Sequence, residues 1–242
     1  MGDSAPSPLS VNWLVHRINR QQIEAAAQLH SRGRLLDIGC GQGRYNDLLD
    51  RHADSRTGME FDRRRYASAC RPGVWGSGLS LPFSEACFDT VVSFQVLEHV
   101  PEPAQMVREI SRVLKPGGCL ILTAPHIWGV HEEPEDYFRF TGFGLSHLSR
   151  AAGLRVVSVR PMAGYWVTAG ARFCYYLQQF EKLPGMALPL RPLYALVQLM
   201  ALVLDRLHRV EGDAWNFILV ATKAAPEATT KPRTRSGIQE SM

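Results

Sequence analysis

The run Arg34–Ile38 (RLLDI) passes directly into Gly39-Cys40-Gly41-Gln42-Gly43, and no other stretch restricts the fold as sharply. A buried strand that must turn at once needs glycine, which takes left-handed backbone conformations cheaply and lets a ligand approach without a Cβ in the way. Strand, glycine turn and helix in that order open a parallel βαβ unit, in which ligands sit beyond the carboxyl ends of the strands. The next apolar run, Thr57–Phe61, carries Glu60 near its end. A carboxylate there can accept two hydrogen bonds from ribose hydroxyls. The pattern points to a nucleotide-like ligand.

The remaining elements follow the same alternation. Apolar residues between Val11 and His30 fall at helical spacing, and short helices are predicted over Tyr45–Arg51 and Asp62–Cys70. Gly73–Trp75, Phe88–Phe94 (FDTVVSF), Cys119–Ala124, Leu154–Val159 and Trp215–Thr222 read as further strands. Helices over Pro103–Leu114 and Gly144–Ala152 lie between them, the first ended by a turn at Lys115-Pro116-Gly117-Gly118. The expectation is an α/β fold: a Rossmann-like, seven-stranded, mostly parallel sheet with helices on both faces. A helical lead-in precedes it, and residues 161–212 form a helical insertion before the last strand. Residues 1–223 make one domain on this reading, and the polar segment 224–242 is a disordered tail.

Composition narrows the function. With 242 residues, 45% hydrophobic and 21% charged, the chain can bury a full core without disulfides or metals. A formal charge of +4, with no basic stripe beyond Arg63–Arg65, does not suit a dedicated nucleic-acid binder. Cys40, Cys70, Cys87, Cys119 and Cys174 are odd in number and include no CxxC pair, which fits a reducing compartment. Met1–Ser10 lacks an apolar leader core, so a cytoplasmic location is expected. The long apolar run Leu193–Leu204 has twelve residues and meets Pro192, Arg191 and Pro189 on its N-terminal side; it is too short to cross a bilayer.

The glycine pattern also says which nucleotide is wrong. A dinucleotide fingerprint is GxGxxG or GxGxxA, serving a pyrophosphate at a helix N-terminus. Here Gly43 is followed by Arg44 and Tyr45, and Asp37 stands just before the turn, where a ligand's ammonium could dock. A ligand with an amino-acid end and a ribose suits Asp37 and Glu60 better. The segments LLDIGCGQGRY, GMEFD, SLPFSEACFDTVVSFQVLEHV and REISRVLKPGGCLILTAP, in that order, resemble class I S-adenosylmethionine-dependent methyltransferases, most closely their type-11 group. The resemblance runs from about Arg34 to Ala124. It implies S-adenosyl-L-methionine as cofactor. Asp37, Gly39, Cys40, Gly41 and Gly43 would line its methionine end, Glu60 would hold the ribose, and Phe61 would lie beside the adenine. Ser77 and Gly78 stand where the family usually has an Asp-Ala pair against the adenine, and Gln95 and Leu97 would face the sulfonium.

Methyl transfer needs an aligned acceptor, exclusion of water and in some cases a base. Glu98-His99 follows the fourth strand, and His126 follows the fifth. The loop His126–Thr141 (HIWGVHEEPEDYFRFT) interleaves aromatics with His131, Asp136, Tyr137 and Arg139. His126, His131 and Tyr137 are the candidates for handling an acceptor proton, while His99 reads rather as a residue shaping its loop than as a base. The stretch HEEPEDYFRFTGFGLSHL resembles a subset of type-11 enzymes associated with glycan pathways. The expected partner is a small-molecule, glycan or lipid-linked acceptor, with O-methylation favoured and nucleic acid not expected. No metal is expected, although His131, Glu132, Glu133 and Asp136 are ligand types in one loop. Residues 186–204 read first as a lid helix buried on the domain or in a dimer interface, so the oligomeric state stays open; the alternative is peripheral contact with a membrane, with Arg172, Arg191, Arg206 and Arg209 facing anionic headgroups. The rival functions are a non-catalytic module that keeps the pocket and an NAD-dependent oxidoreductase.

Overall fold

The computed structural model describes residues 7–61 and 73–225. Its core is a seven-stranded sheet in the order β3-β2-β1-β4-β5-β7-β6. The strands are β1 (Arg34–Ile38), β2 (Ser55–Glu60), β3 (Val74–Trp75), β4 (Phe88–Phe94), β5 (Leu114–Pro125), β6 (Leu154–Pro161) and β7 (Asn216–Lys223). β1 pairs in parallel with both β2 and β4, so the chain reverses its winding between β1 and β4. In open α/β sheets this reversal point is where a crevice forms. β7 runs antiparallel between β5 and β6. The expected helix Asp62–Cys70, with Arg63–Arg65 and Cys70, lies outside the described residues, as does all of the expected tail beyond residue 225.

Helices cover both faces because the central strands are apolar on both. Phe88, Val91 and Val92 of β4 are fully buried, and so are Leu120 and Ile121 of β5. One face packs under α1 (Trp13–His30), whose Leu14, Ile18, Ile23, Ala26 and Ala27 make a helical stripe against Val92, Ile121 and Val220. The other packs under α3 (Pro103–Val113) and α4 (Gly142–Ala151), through Met106, Ile110 and Leu145. Burying a side chain of this size contributes about 1.5–3 kcal/mol, so these two layers supply the stability that the loops at the sheet edge draw on. The helix predicted over Tyr45–Arg51 is the shorter α2 (Asn46–Leu49).

Two expectations are corrected. Lys115–Gly118 is not a turn ahead of the strand but an irregular part of β5. Partner register jumps from Phe88↔Leu114 to Thr90↔Cys119, and Gly117 takes φ +75° to absorb the extra residues. Nor does the apolar run at Leu193 stop at the prolines. It belongs to α6 (Ala187–Leu207), 21 residues long, which by length and composition could cross a membrane. Pro189 sits in the first turn, where amides have no intrahelical partner in any case, and Pro192 is carried one turn further in.

The helix lies along the domain. Leu190, Tyr194, Gln198, Ala201 and Asp205 form a buried stripe, packed beside α5 (Tyr165–Gln178). Gln198 accepts a hydrogen bond from the amide of Leu14 (2.9 Å) and donates to the carbonyls of Ser10 and Tyr194 (3.0 and 3.1 Å). A residue from the insertion thus caps the N-terminus of α1, whose own Asn12 makes no capping bond. Asp205 likewise accepts from the amide of Gly164, where a Cβ would come within 2.6 Å of its oxygen.

Candidate functional site

A cleft of about 1230 Å³ opens at the carboxyl ends of β1, β2 and β4. Such a volume exceeds the usual range for a single small ligand, leaving room for two. Its floor is the glycine turn. Gly39, Gly41 and Gly43 take φ +74°, +53° and +76°, and a Cβ on Gly39 would lie 2.2 Å from Val96 Cγ2. The amides of Gly39 and Cys40 donate to the Met59 carbonyl, tying the turn to β2. Cys40 lines the cleft and packs its sulfur against Gly58, where a Cβ would come within 3.0 Å.

The two acids anticipated from sequence face this floor. Asp37 is buried, and burial pushes its carboxyl up to about 7; Arg56 opposes the shift, while Glu60 and Asp50 add to it. A buried carboxylate near neutrality is suited to a ligand ammonium, which would restore its charge. Glu60 accepts from the amides of Gly41 (2.9 Å, Oε2) and Phe61 (2.8 Å, Oε1). Each carboxylate oxygen accepts more than one hydrogen bond. These two amides therefore fix the carboxylate's orientation while leaving acceptor capacity for a ribose diol. Phe61 is three-quarters exposed and lines the cleft, as do Ser77 and Gly78. The Ser77 hydroxyl accepts from the amide of Leu79 (3.2 Å), shaping its own turn.

Gln95 lines the cleft but turns its amide away from it. It donates to Thr123 Oγ1 (3.0 Å) and Asn216 Oδ1 (3.2 Å), with its backbone at φ +57°. That left-handed conformation is costly for a residue with a side chain and is found where surroundings force it. Leu97 does not face the sulfonium region; it is buried in the core. Sequence reasoning passed over the opposite wall: Asn19 and Arg20 of α1, and Tyr45, whose ring meets Phe94 edge-on at 5.3 Å. The only signal for Asn19 was a polar residue on an apolar helix stripe.

The three candidates for acceptor chemistry sit outside the cleft lining. His126 lies against Phe217, with ring centroids 5.5 Å apart. Tyr137 is half-exposed, and its amide and that of Phe138 donate to the Glu98 carbonyl, pinning the loop after β5 to the segment after β4. Asp136 and Arg139 form a two-pronged ion pair (2.6 and 2.7 Å), and Arg139 also donates to the carbonyls of Trp128 and Gly129. Hydrogen bonds from Arg139 hold the Asp136 carboxyl far below the ordinary carboxylate range. This pair is the loop's internal frame. Trp128 and Phe140 are drawn inward rather than offered to an acceptor: Trp128 packs against Tyr175 and Trp215, and Phe140 is buried.

His131 instead meets the other acid–histidine pair. Its ring crosses that of His99 edge-on, centroids 4.9 Å apart. His99 lines the cleft beside Glu132 and Glu135. Glu98 is fully buried, and among the described residues neither carboxylate oxygen has a hydrogen-bond partner. Burial pushes its carboxyl up to about 8, against the pull of its own amide and of Arg139.

Comparisons with known proteins bear on the family and the fold. Residues 36–122 match the family described as a methyltransferase domain, of type 11. A "probable S-adenosylmethionine-dependent methyltransferase" of Mycolicibacterium smegmatis is 38% identical over 97 residues, which cover 38% of this chain and 38% of that protein. The ubiquinone biosynthesis O-methyltransferase of Pseudomonas aeruginosa is 30% identical over 142 residues, covering 54% of each chain. The match thus spans about half the length of these curated relatives or less. The crystal structure of an S-adenosylmethionine-dependent methyltransferase from Mesorhizobium loti superposes with a TM-score of 0.54 at 16% identity, covering 88% of this chain and 98% of that one. At that identity it speaks for the fold.

Proposed function

We propose, on the premise that residues 36–122 are a methyltransferase domain of type 11, that the chain is a class I, S-adenosylmethionine-dependent enzyme that methylates an oxygen of a small, glycan-linked or lipid-linked acceptor. The observation that carries the reading is the pairing of Asp37 and Glu60 across one glycine turn, in a cleft with room for two ligands. Asp37 would take the ammonium of the cofactor and Glu60 its ribose, while the turn admits its chain without a Cβ clash. The cofactor supplies a methyl carbon activated by the adjoining sulfonium. The protein's part is to align an acceptor with that carbon and keep water out. A ubiquinone biosynthesis O-methyltransferase among the relatives supports an oxygen acceptor.

Calorimetric titration with S-adenosylmethionine, S-adenosylhomocysteine and NAD tests the cofactor half. Micromolar binding of the two sulfur ligands and none of NAD is expected, and Glu60→Ala should weaken that binding strongly. Unchanged affinity in the variant would overturn the assignment of Glu60. Absence of all binding would leave a scaffold without catalysis.

The acceptor's setting is inferred from α6. Opposite its buried stripe, Leu196, Leu199, Met200, Val203 and Leu207 are all about half-exposed or more. Phe173 and Tyr176 of α5 and Leu183 continue the apolar surface. From residue 182 to 207 the exposed charges are Lys182, Arg191 and Arg206, with Asp205 turned inward. An apolar face edged by Lys182, Arg191 and Arg206, with Glu181 engaged by the Tyr194 hydroxyl (2.9 Å), fits the interface of an anionic bilayer. Full-length protein should co-sediment with vesicles containing anionic phospholipid; indifference to them would end the membrane reading.

A further inference from the structure

We propose that Glu98, His99 and His131 form a binding site for a divalent transition-metal ion at the acceptor end of the cleft. The three residues come from the segment after β4 and the loop after β5, and one ligand atom from each lies within 4.8 Å of the others. A buried carboxylate without a partner is costly, and such groups are normally paired or coordinate a cation. Glu98 has both oxygens in that condition among the described residues.

The histidines are oriented for the same purpose. His99 Nδ1 lies 2.5 Å from the Glu135 carbonyl oxygen, so that nitrogen carries the proton and donates it. Its Nε2, left as a lone pair, stands 3.8 Å from Glu98 Oε1. His131 Nδ1 lies 3.2 Å from the Gly129 carbonyl and 3.4 Å from Asp136 Oδ2, two acceptors against the single donor Arg139 at 3.3 Å. A proton on Nδ1 again leaves Nε2 bare. Metal-binding histidines typically donate the other ring N–H to a carbonyl or carboxylate in this way, fixing ring and tautomer. Asp136 adds a second hold, accepting the His131 amide at 2.8 Å. The frame built by Asp136 and Arg139 thereby acquires a purpose: it positions His131.

The donor set also selects the ion. Two imidazoles and one carboxylate suit zinc, cobalt, iron or manganese rather than the all-oxygen preference of calcium and magnesium. Ligands about 2.1 Å from an ion stand about 3.4 Å apart at a tetrahedral angle, so the set must close by roughly an ångström on loading. Three protein ligands leave positions open, and the cleft is reached past His99. The ligand there would be an oxygen donor, such as a hydroxyl or a vicinal diol. Only that last step rests on the methyl-transfer reading; ion binding does not.

The test uses the full-length chain stripped with chelator, titrated with zinc chloride and with cobalt chloride by calorimetry and visible absorption. One equivalent of micromolar affinity is expected, with a cobalt absorption of low-symmetry character. Both His131→Ala and the shape-preserving Glu98→Gln should weaken it at least roughly tenfold. Titration of S-adenosylhomocysteine in the same samples reports whether each variant is folded; where His131→Ala fails that control, Glu98→Gln decides. No binding of either ion, or binding indifferent to the substitutions in folded variants, overturns the proposal. Metal bound without affinity for S-adenosylhomocysteine would instead remove the methyltransferase reading and leave the site standing.

Discussion

Asp37 carries the sharpest prediction at the scale of single residues. Its carboxyl is held near 7 by burial, against an ordinary value of 3.8, so between these pH values the folded chain keeps a proton that the unfolded chain has released. Stability of the ligand-free protein should therefore fall as pH rises through that window. A ligand ammonium reverses the balance by favouring the charged form. Affinity for S-adenosylhomocysteine should rise from pH about 6 to about 8, and Asp37→Asn should flatten the slope while weakening binding, as read by calorimetry. Gly39→Ala faces both a φ of +74° and the methyl of Val96; it should cost about 1–3 kcal/mol in urea unfolding, and an unmoved midpoint would refute the strain. The glycines were legible because backbone geometry dictates their type at those positions, and Asp37 and Glu60 because each stands at a strand end beside the glycine turn. Gln95 and Leu97 were not, since a residue past a strand end can point either way, and neighbours distant in sequence (Thr123, Asn216) decide it.

At the scale of elements, α6 repays attention to its one polar interruption. Gln198 interrupts an otherwise apolar run, yet it is fully buried and satisfies the α1 amide at Leu14. Gln198→Leu should lower stability by about 1–3 kcal/mol, because a buried donor loses its acceptor; a thermal melt that does not shift would contradict this. On the opposite face, Leu199→Glu with Met200→Glu should leave that melt nearly unchanged and abolish vesicle binding. Strand limits matched at Phe88–Phe94, which is rich in β-branched residues, and at Arg34–Ile38, which runs between Gly33 and Gly39. They failed at Lys115–Gly118, where proline and glycines signal a turn locally but pairing with β4 holds the segment in the sheet. The extent of α6 was hidden for a related reason: prolines end helices in general, but not in the opening turns.

At the scale of the whole molecule, saturation with cofactor should raise the unfolding free energy by about 2.7 kcal/mol when the ligand stands at a hundred times its Kd. A melt insensitive to S-adenosylhomocysteine would show that the cleft does not hold it. The parallel half of the sheet could be read from alternation of strands and helices. The antiparallel entry of β7 between β5 and β6 could not, because nothing local in Trp215–Thr222 states its direction. The meeting of Glu98, His99 and His131 was equally out of reach, being a product of two loops folded together. The grip of Gln198 on α1 has a further consequence. That helix presents Asn19 and Arg20 to the cleft, so a force on α6 and a ligand on the cleft wall act on one rod from two places. A closed thermodynamic cycle has no preferred direction. On the membrane reading proposed above, whatever factor a bilayer applies to cofactor affinity, the cofactor must return to bilayer affinity, and where the protein resides would become a readout of what it carries.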